Sequence, residues 1–263
     1  MSNFLEAHGF SRGSISRLSY SGYKRYLQCP AYYAACLTQP RIPPTIDMFL
    51  GTVIQAVFEK MVNDGYPDCE HVIDSIPNVI DKCNGKEKLA ISDWFIEQAK
   101  QAVSVSYSLI AGFKDFNYAS EKALIAVFNG IELYGRLDFV SIKHALIVDG
   151  KATDQKDKYV DFDQLVFYAY LFYLTYGKIP HTAFLYYFFG ETQLVYQSEK
   201  KLNVFKSKLM PVVEGIKNEQ FQLRTKGWHC SSCPIQRSCN TGLFNERRPL
   251  EIGNDQSIDY VNL

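Results

Sequence analysis

With 263 residues the chain can bury one full core, with room for a small appendage. Lysine plus arginine and aspartate plus glutamate both number 28, so no overall basic charge announces a nucleic-acid partner. No early apolar run has the length of a signal-peptide core and none would span a bilayer, so a cytoplasmic protein without a membrane partner is expected. In such a reducing compartment the seven cysteines favour metal ligation over disulfides.

Charge is nevertheless uneven. Residues 10–35 hold Arg12, Arg17, Lys24 and Arg25 and no acid. Residues 221–248 hold Arg224, Lys226, Arg237, Arg247 and Arg248 against Glu246 alone. If the two ends meet, these stretches merge into one electropositive patch.

In chain order, residues 1–19 read as irregular and 20–37 as a helix, with Ser21 as N-cap and Pro30 a local disturbance. The run Arg41-Ile42-Pro43-Pro44 breaks it. Val53, Ala56, Val57 and Met61 recur at helical spacing and predict a helix over 52–64, with further helix over 71–82 and 86–109. The texture then changes to strands: 123–128, a tight turn at Asn129-Gly130, then 131–142 and 145–151 joined at Lys143-His144. A helix over 161–176 follows, too short and tyrosine-rich in its apolar part to cross a membrane, so it reads as buried. Strands over 181–189 and 193–197 and a helix over 199–217, capped by Ser198, complete the elements. The order predicts a mixed α/β core with a helical N-terminal extension and a cysteine-bearing tail. It divides one continuous domain into a helical region 1–112, a core 113–219 and a C-terminal segment 220–263.

Within the predicted core, strand alternation puts Asp149 and Lys151 on one face with Gly150 between them. Asp138 lies on the preceding strand, where a hairpin brings the two carboxylates to one ion. Hard oxygen ligands suit Mg²⁺ or Mn²⁺, which would acidify a water and offset charge on a phosphate, with Lys151 orienting that water. A lone D-x-K is ordinarily a surface pair. Here the apolar Ala145-Leu146-Ile147-Val148 leads straight into the acid, and a charge ending a buried strand calls for a partner or a task.

Three segments together, Gly135-Arg136-Leu137-Asp138, Ile147-Val148-Asp149-Gly150-Lys151 and Gln164-Leu165-Val166-Phe167-Tyr168, resemble the PD-(D/E)XK nuclease superfamily and its RecB-like branch. The resemblance implies a restriction-endonuclease-like core in which Asp138, Asp149 and the Gly150 carbonyl bind metal and Lys151 is catalytic. It places Arg136, Gln164 and Tyr168 along the DNA path. An upstream family helix carries a metal-binding histidine, and in Gly51-Thr52-Val53-Ile54-Gln55-Ala56-Val57-Phe58-Glu59 that place is taken by Gln55. A neutral amide is a weak ligand, binding directly, through water or not at all, and Glu59 one turn on is placed to supply charge instead.

Cys230, Cys233 and Cys239 pack three thiols into a short loop, and Cys29, in a Cys-Pro pair, is the candidate fourth. A zinc ribbon has two C-x-x-C pairs, and this chain has one. The C-x2-C-x5-C trio with one remote cysteine resembles the [4Fe–4S] site of iron–sulfur RecB-like nucleases, including the AddB nuclease domain and CRISPR-associated RecB-type exonucleases. In that family the cluster staples distant parts of the chain. Cys36, Cys69 and Cys83 match no ligand spacing and read as core or surface thiols.

Tyr20, Tyr23, Tyr26, Tyr32 and Tyr33 interleave with Lys24 and Arg25 around Cys29. Most read as packing, with Tyr23 and Lys24 as candidates for contact with unpaired bases and their phosphates. The expectation is a metal-dependent exonuclease on single-stranded DNA or DNA ends, stabilised by a [4Fe–4S] cluster. Two alternatives stay within the resemblance. One is a DNA-trimming factor in CRISPR spacer acquisition, partnered by an integrase. The other is a viral nuclease of recombination or replication, acting with recombination proteins in the host cytoplasm. A third belongs to another class: a non-catalytic nucleic-acid-binding module with structural zinc.

Overall fold

The computed structural model describes residues 16–38, 43–153, 155–156, 161–222, 227–236 and 239. Arg12, Arg224, Lys226, Arg237, Arg247 and Arg248, and with them most of the expected electropositive patch, lie outside the described residues. The chain is a mixed α/β protein whose central mixed sheet is flanked by helices, and it divides into two compact units.

The larger unit spans 43–126 and 134–206. It opens with four helices: α3 (Ile46–Asn63), α4 (Cys69–Asp74), α5 (Ile76–Glu87) and α6 (Asp93–Ala111), the first two helices of the chain belonging to the smaller unit. Thr45 caps α3 by accepting a hydrogen bond from the Met48 amide at 3.3 Å, well upstream of Val53, where the periodicity first marks this helix. Its Phe49, Leu50, Val53, Ile54, Val57, Phe58 and Met61 form one buried stripe. The helix predicted over 86–109 begins later, because Lys88 is left-handed and ends α5, and Ser92 caps α6 through the Phe95 amide.

Strands β2 (Ala119–Phe128), β3 (Ile131–Ser141), β4 (Leu146–Lys151), β5 (His181–Tyr186) and β6 (Glu191–Val195) agree with the expected strands within a few residues. β2 pairs with β3 through the Asn129-Gly130 turn, where both residues take positive φ. β3 and β4 are antiparallel in the register Phe139↔Val148, and β4 and β5 are parallel with Asp149 opposite Phe184. β5 and β6 are antiparallel. Phe139, Val148, Ala183 and Leu185 join the buried stripe of α3 and the apolar faces of α5 and α6 in one core. Helix α7 (Phe162–Tyr176), between β4 and β5 in the chain, is buried nearly all round, from Leu165 through Phe172.

The smaller unit takes its described residues from both ends of the chain and from the β2–β3 turn. Helix α1 (Tyr20–Gln28) is capped by Ser19, not Ser21: the Ser19 hydroxyl accepts from the Gly22 amide at 3.2 Å. α2 (Pro30–Thr38) follows after a break at Cys29, whose backbone is extended at φ −162° and ψ 114°. The predicted single helix is therefore two. A proline disfavours helical backbone in the residue before it and is itself well suited to open a helix, so the break falls at Cys29-Pro30. A short strand β1 (Arg17–Ser19), absent from the sequence expectation, adds to the start of β3, where the Glu132 amide donates to the Ser16 carbonyl. Helix α8 (Glu199–Lys217) has the predicted bounds.

Candidate active site

Everything around Asp138 and Asp149 belongs to the larger unit. Continuing the β3–β4 register one step beyond Phe139↔Val148 sets Asp138 opposite Asp149. The Gly150 amide donates to Asp138 Oδ2 at 2.7 Å, so the partner strand's backbone fixes one carboxylate. Asp149 is 3 % exposed and its Oδ2 is buried without a hydrogen bond. Lys151 Nζ lies 2.5 Å from that oxygen as an ion pair, off the directions a hydrogen bond requires. The Lys151 ammonium instead donates to Gln164 Oε1 at 2.8 Å and sits 5.3 Å from the Phe184 ring centre. Gln164 Nε2 in turn donates to the Tyr168 hydroxyl at 3.1 Å. The two α7 residues expected on one face thus act as one bracket for the lysine.

Burial, and then the charge of Asp149, push the Asp138 carboxyl well above the usual carboxylate range; the Gly150 amide and Lys151 oppose them only in part. Like charges held together in a dry place favour a proton or a cation between them. Burial, and then the Asp149 charge, likewise raise the Tyr168 phenol.

Two residues that no sequence motif marks complete the surroundings. Tyr187 follows β5 and is buried, with its hydroxyl donating to Gln55 Oε1 on α3. A Cβ on Gly150 would stand 2.0 Å from that hydroxyl oxygen, so only glycine can separate Asp149 from Lys151 here. Glu121 on β2 forms an ion pair with Arg136 of β3, and burial raises its carboxyl despite the guanidinium. Glu121 has φ +51°, a left-handed conformation inside a strand. The charge of Glu59, one turn beyond Gln55, reaches Glu121. Glu121 lies just ahead of the strand predicted over 123–128 and Tyr187 inside an apolar run, so neither gives a local signal.

The smaller unit brings the two cysteine-bearing ends into one body. Cys29 is buried with Ala31 and Tyr32, and Cys36 and Cys233 pack against them. Tyr32 stacks on His229 with ring centres 6.0 Å apart. Cys230 sits in the turn Trp228–Ser232, its Sγ accepting from the Gly227 amide at 3.5 Å. Burial pushes the Cys233 thiol up to about 11, and it feels the charges of Cys36, Cys239 and Cys29. Cys36, which had no ligand spacing, lies on α2, and Cys29 just precedes that helix with an extended backbone. Among the described residues no group of three or more His, Cys, Asp and Glu side chains converges closely enough to hold an ion, whether at the thiols or at the carboxylates.

Tyr20, Tyr23, Tyr26, Tyr32 and Tyr33 are all buried, which bears out packing for this set. Tyr23, at 2 % exposure, offers no open ring face to a base, whereas Lys24 is partly exposed.

The fold and the carboxylate–lysine arrangement define a class of phosphodiester-cleaving α/β proteins, and sequence comparison agrees. A family model of the PD-(D/E)XK nuclease superfamily matches residues 17–240, most of the chain. The protein belongs to the PD-(D/E)XK nuclease superfamily. A crystal structure of a protein assigned as an exonuclease from Eubacterium rectale shares the fold: TM-score 0.57 and 14 % identity, over 94 % of this chain and 93 % of that one. The structure of SSO0001 is 12 % identical over 92 % of this chain and 94 % of its own, at a TM-score of 0.37. No curated protein matches the sequence. Among the described residues no helix is long and apolar enough to cross a membrane.

Proposed function

We propose that this protein is a Mg²⁺- or Mn²⁺-dependent deoxyribonuclease acting as an exonuclease on single-stranded DNA or DNA ends. The observation that carries the proposal is the buried Asp149 Oδ2 opposite Asp138, which takes no hydrogen bond and is faced by the Lys151 ammonium that Gln164 also holds. A buried carboxylate oxygen without a hydrogen bond suits a cation, and Asp138, Asp149 and the Gly150 carbonyl are the groups that would hold it. Such an ion supplies an acidified water and charge to offset that on the phosphate. Lys151 places an ammonium next to the reacting phosphate, held between Asp149 and the amide oxygen of Gln164 on α7. The exonuclease assignment of the Eubacterium rectale protein supports the choice of ends over internal sites.

We further propose that Cys29, Cys230, Cys233 and Cys239 hold a [4Fe–4S] cluster that staples the smaller unit. Its support is the meeting of Cys29 with the Cys233 turn and the mutual influence of the thiols. Cluster binding would have to draw these side chains together, since among the described residues they do not converge.

The deciding experiment is digestion of end-labelled DNA with metal titration. Asp149→Ala and Lys151→Ala should each abolish Mg²⁺- or Mn²⁺-dependent release of nucleotides while circular dichroism stays unchanged. Undiminished digestion by both variants would remove these residues from the chemistry and favour a binding module.

A further inference from the structure

Gln55 stands where the family places a metal-binding histidine, yet its side-chain oxygen is already engaged, accepting from the Tyr187 hydroxyl. To coordinate a cation, that oxygen would have to leave a buried phenol without its acceptor. The other end of the amide, Nε2, is buried without a well-formed hydrogen bond and lies close enough to Glu121 to favour that carboxylate's charged form. Glu121 is in turn ion-paired to Arg136 Nε. The burial gradient along this chain of groups is steep. Tyr187 is buried, the Glu121 side chain is 11 % exposed and that of Arg136 is 59 % exposed.

Arg136 stands two residues before Asp138 on β3. Through this stretch odd-numbered residues are buried and even-numbered ones are more open, so Arg136 and Asp138 leave the same face of the strand. The cation is therefore held at the rim, beside the acids, by a carboxylate anchored from within. The left-handed backbone of Glu121 has the same sense, because strain in a non-glycine residue persists only where its surroundings fix it. A polyanion approaching Asp138, Asp149, Glu121 and Glu59 meets repulsion, and a guanidinium tethered through Nε is well suited to a phosphate oxygen.

We propose that Tyr187, Gln55 and Glu121 form a buried brace that fixes the Arg136 guanidinium as a clamp for a DNA backbone phosphate, with Gln55 a positioning residue and not a ligand of the ion. This rests on the nuclease reading of the same site, and two separate readouts keep the two apart. The first is binding of a fluorescent single-stranded oligonucleotide with chelator present; the second is calorimetric titration of Mn²⁺ without DNA.

Glu121→Gln and Arg136→Gln should each weaken oligonucleotide binding about tenfold and lower its salt dependence by about one phosphate contact. The double variant should be no weaker than Arg136→Gln alone, because both changes remove one clamp. Gln55→Ala should follow them more mildly, and all three single variants should keep Mn²⁺ affinity within about twofold. Wild-type oligonucleotide binding by Glu121→Gln, or a double variant far weaker than Arg136→Gln, overturns the brace. Loss of Mn²⁺ binding in Gln55→Ala overturns it in favour of a ligand role for the amide. Asp149→Asn is the separate control: if it keeps wild-type Mn²⁺ affinity, the nuclease reading fails while the oligonucleotide arm still judges the clamp. If Glu121→Gln does not fold, Glu121→Asp carries the test, since its shorter reach should weaken binding about threefold with the charge kept.

Discussion

Asp138 shows most clearly what this site costs the free protein. Its carboxyl is raised first by burial and then by Asp149, so in the metal-free state folding favours the protonated form. For a raised carboxyl, the stability tied to the proton is fully present below the unfolded value of about 3.9 and is lost as pH rises through the folded one. Asp138→Asn should therefore stabilise the metal-free protein at pH 7, by a few degrees in melting temperature, while ending cleavage. Its amide oxygen still accepts from the Gly150 amide, so the strand contact survives. The gain should shrink as pH falls toward 4, and Mg²⁺ should remove it by stabilising only the wild type. A lower melting temperature for Asp138→Asn in chelator at pH 7 would show that the two acids do not repel each other. Asp138, Asp149 and Lys151 were legible in the sequence because strand alternation fixes their spacing and the apolar run before Asp149 marks its burial. Glu121 and Tyr187 were not, because each reaches the site through a partner far away in the chain.

At the scale of elements, the sheet was legible because its strands carry strong boundaries: Asn129-Gly130 in one turn and a helix too apolar to be exposed between β4 and β5. The helices were less so. Pre-proline geometry split 20–37 at Cys29, a left-handed Lys88 ended α5, and the start of α3 was hidden by Asp47 and Gly51 within its first turns. Helix α7 shows how an element sets chemistry without supplying a reacting group. It is locked by burial from Leu165 to Phe172, and its first turns present Gln164 to Lys151 and Tyr168 to Gln164. Gln164→Ala should leave the ammonium with Asp149 as its one anchor and slow cleavage by about ten- to a hundredfold in kcat. Mn²⁺ affinity and melting temperature should stay near wild type. A change confined to KM would place Gln164 on the DNA and not on the lysine.

For the whole molecule, the question is what keeps the two ends of the chain in one unit. Cys29 and Cys230 are roughly two hundred residues apart, and closing a loop of that length removes about 5 kcal/mol of unfolded-state entropy in the chain-entropy picture. The buried aromatic contacts of Tyr26 and Tyr33 with Phe221, and of Tyr32 with His229, hold the same ends together more weakly and do not depend on metal. On the proposed cluster, protein without it would keep these segments associated but easily parted. Protein purified without oxygen should be brown and yield iron and sulfide. Cys29→Ser and Cys233→Ser should each lose colour and lower the melting temperature by about ten degrees. Combining them should cost little more, because either change opens the same loop. Zinc in place of iron would defeat the cluster assignment. Full iron in Cys29→Ser would free this residue from the cluster and direct attention to Cys36, the α2 thiol that packs in the same group as Cys233.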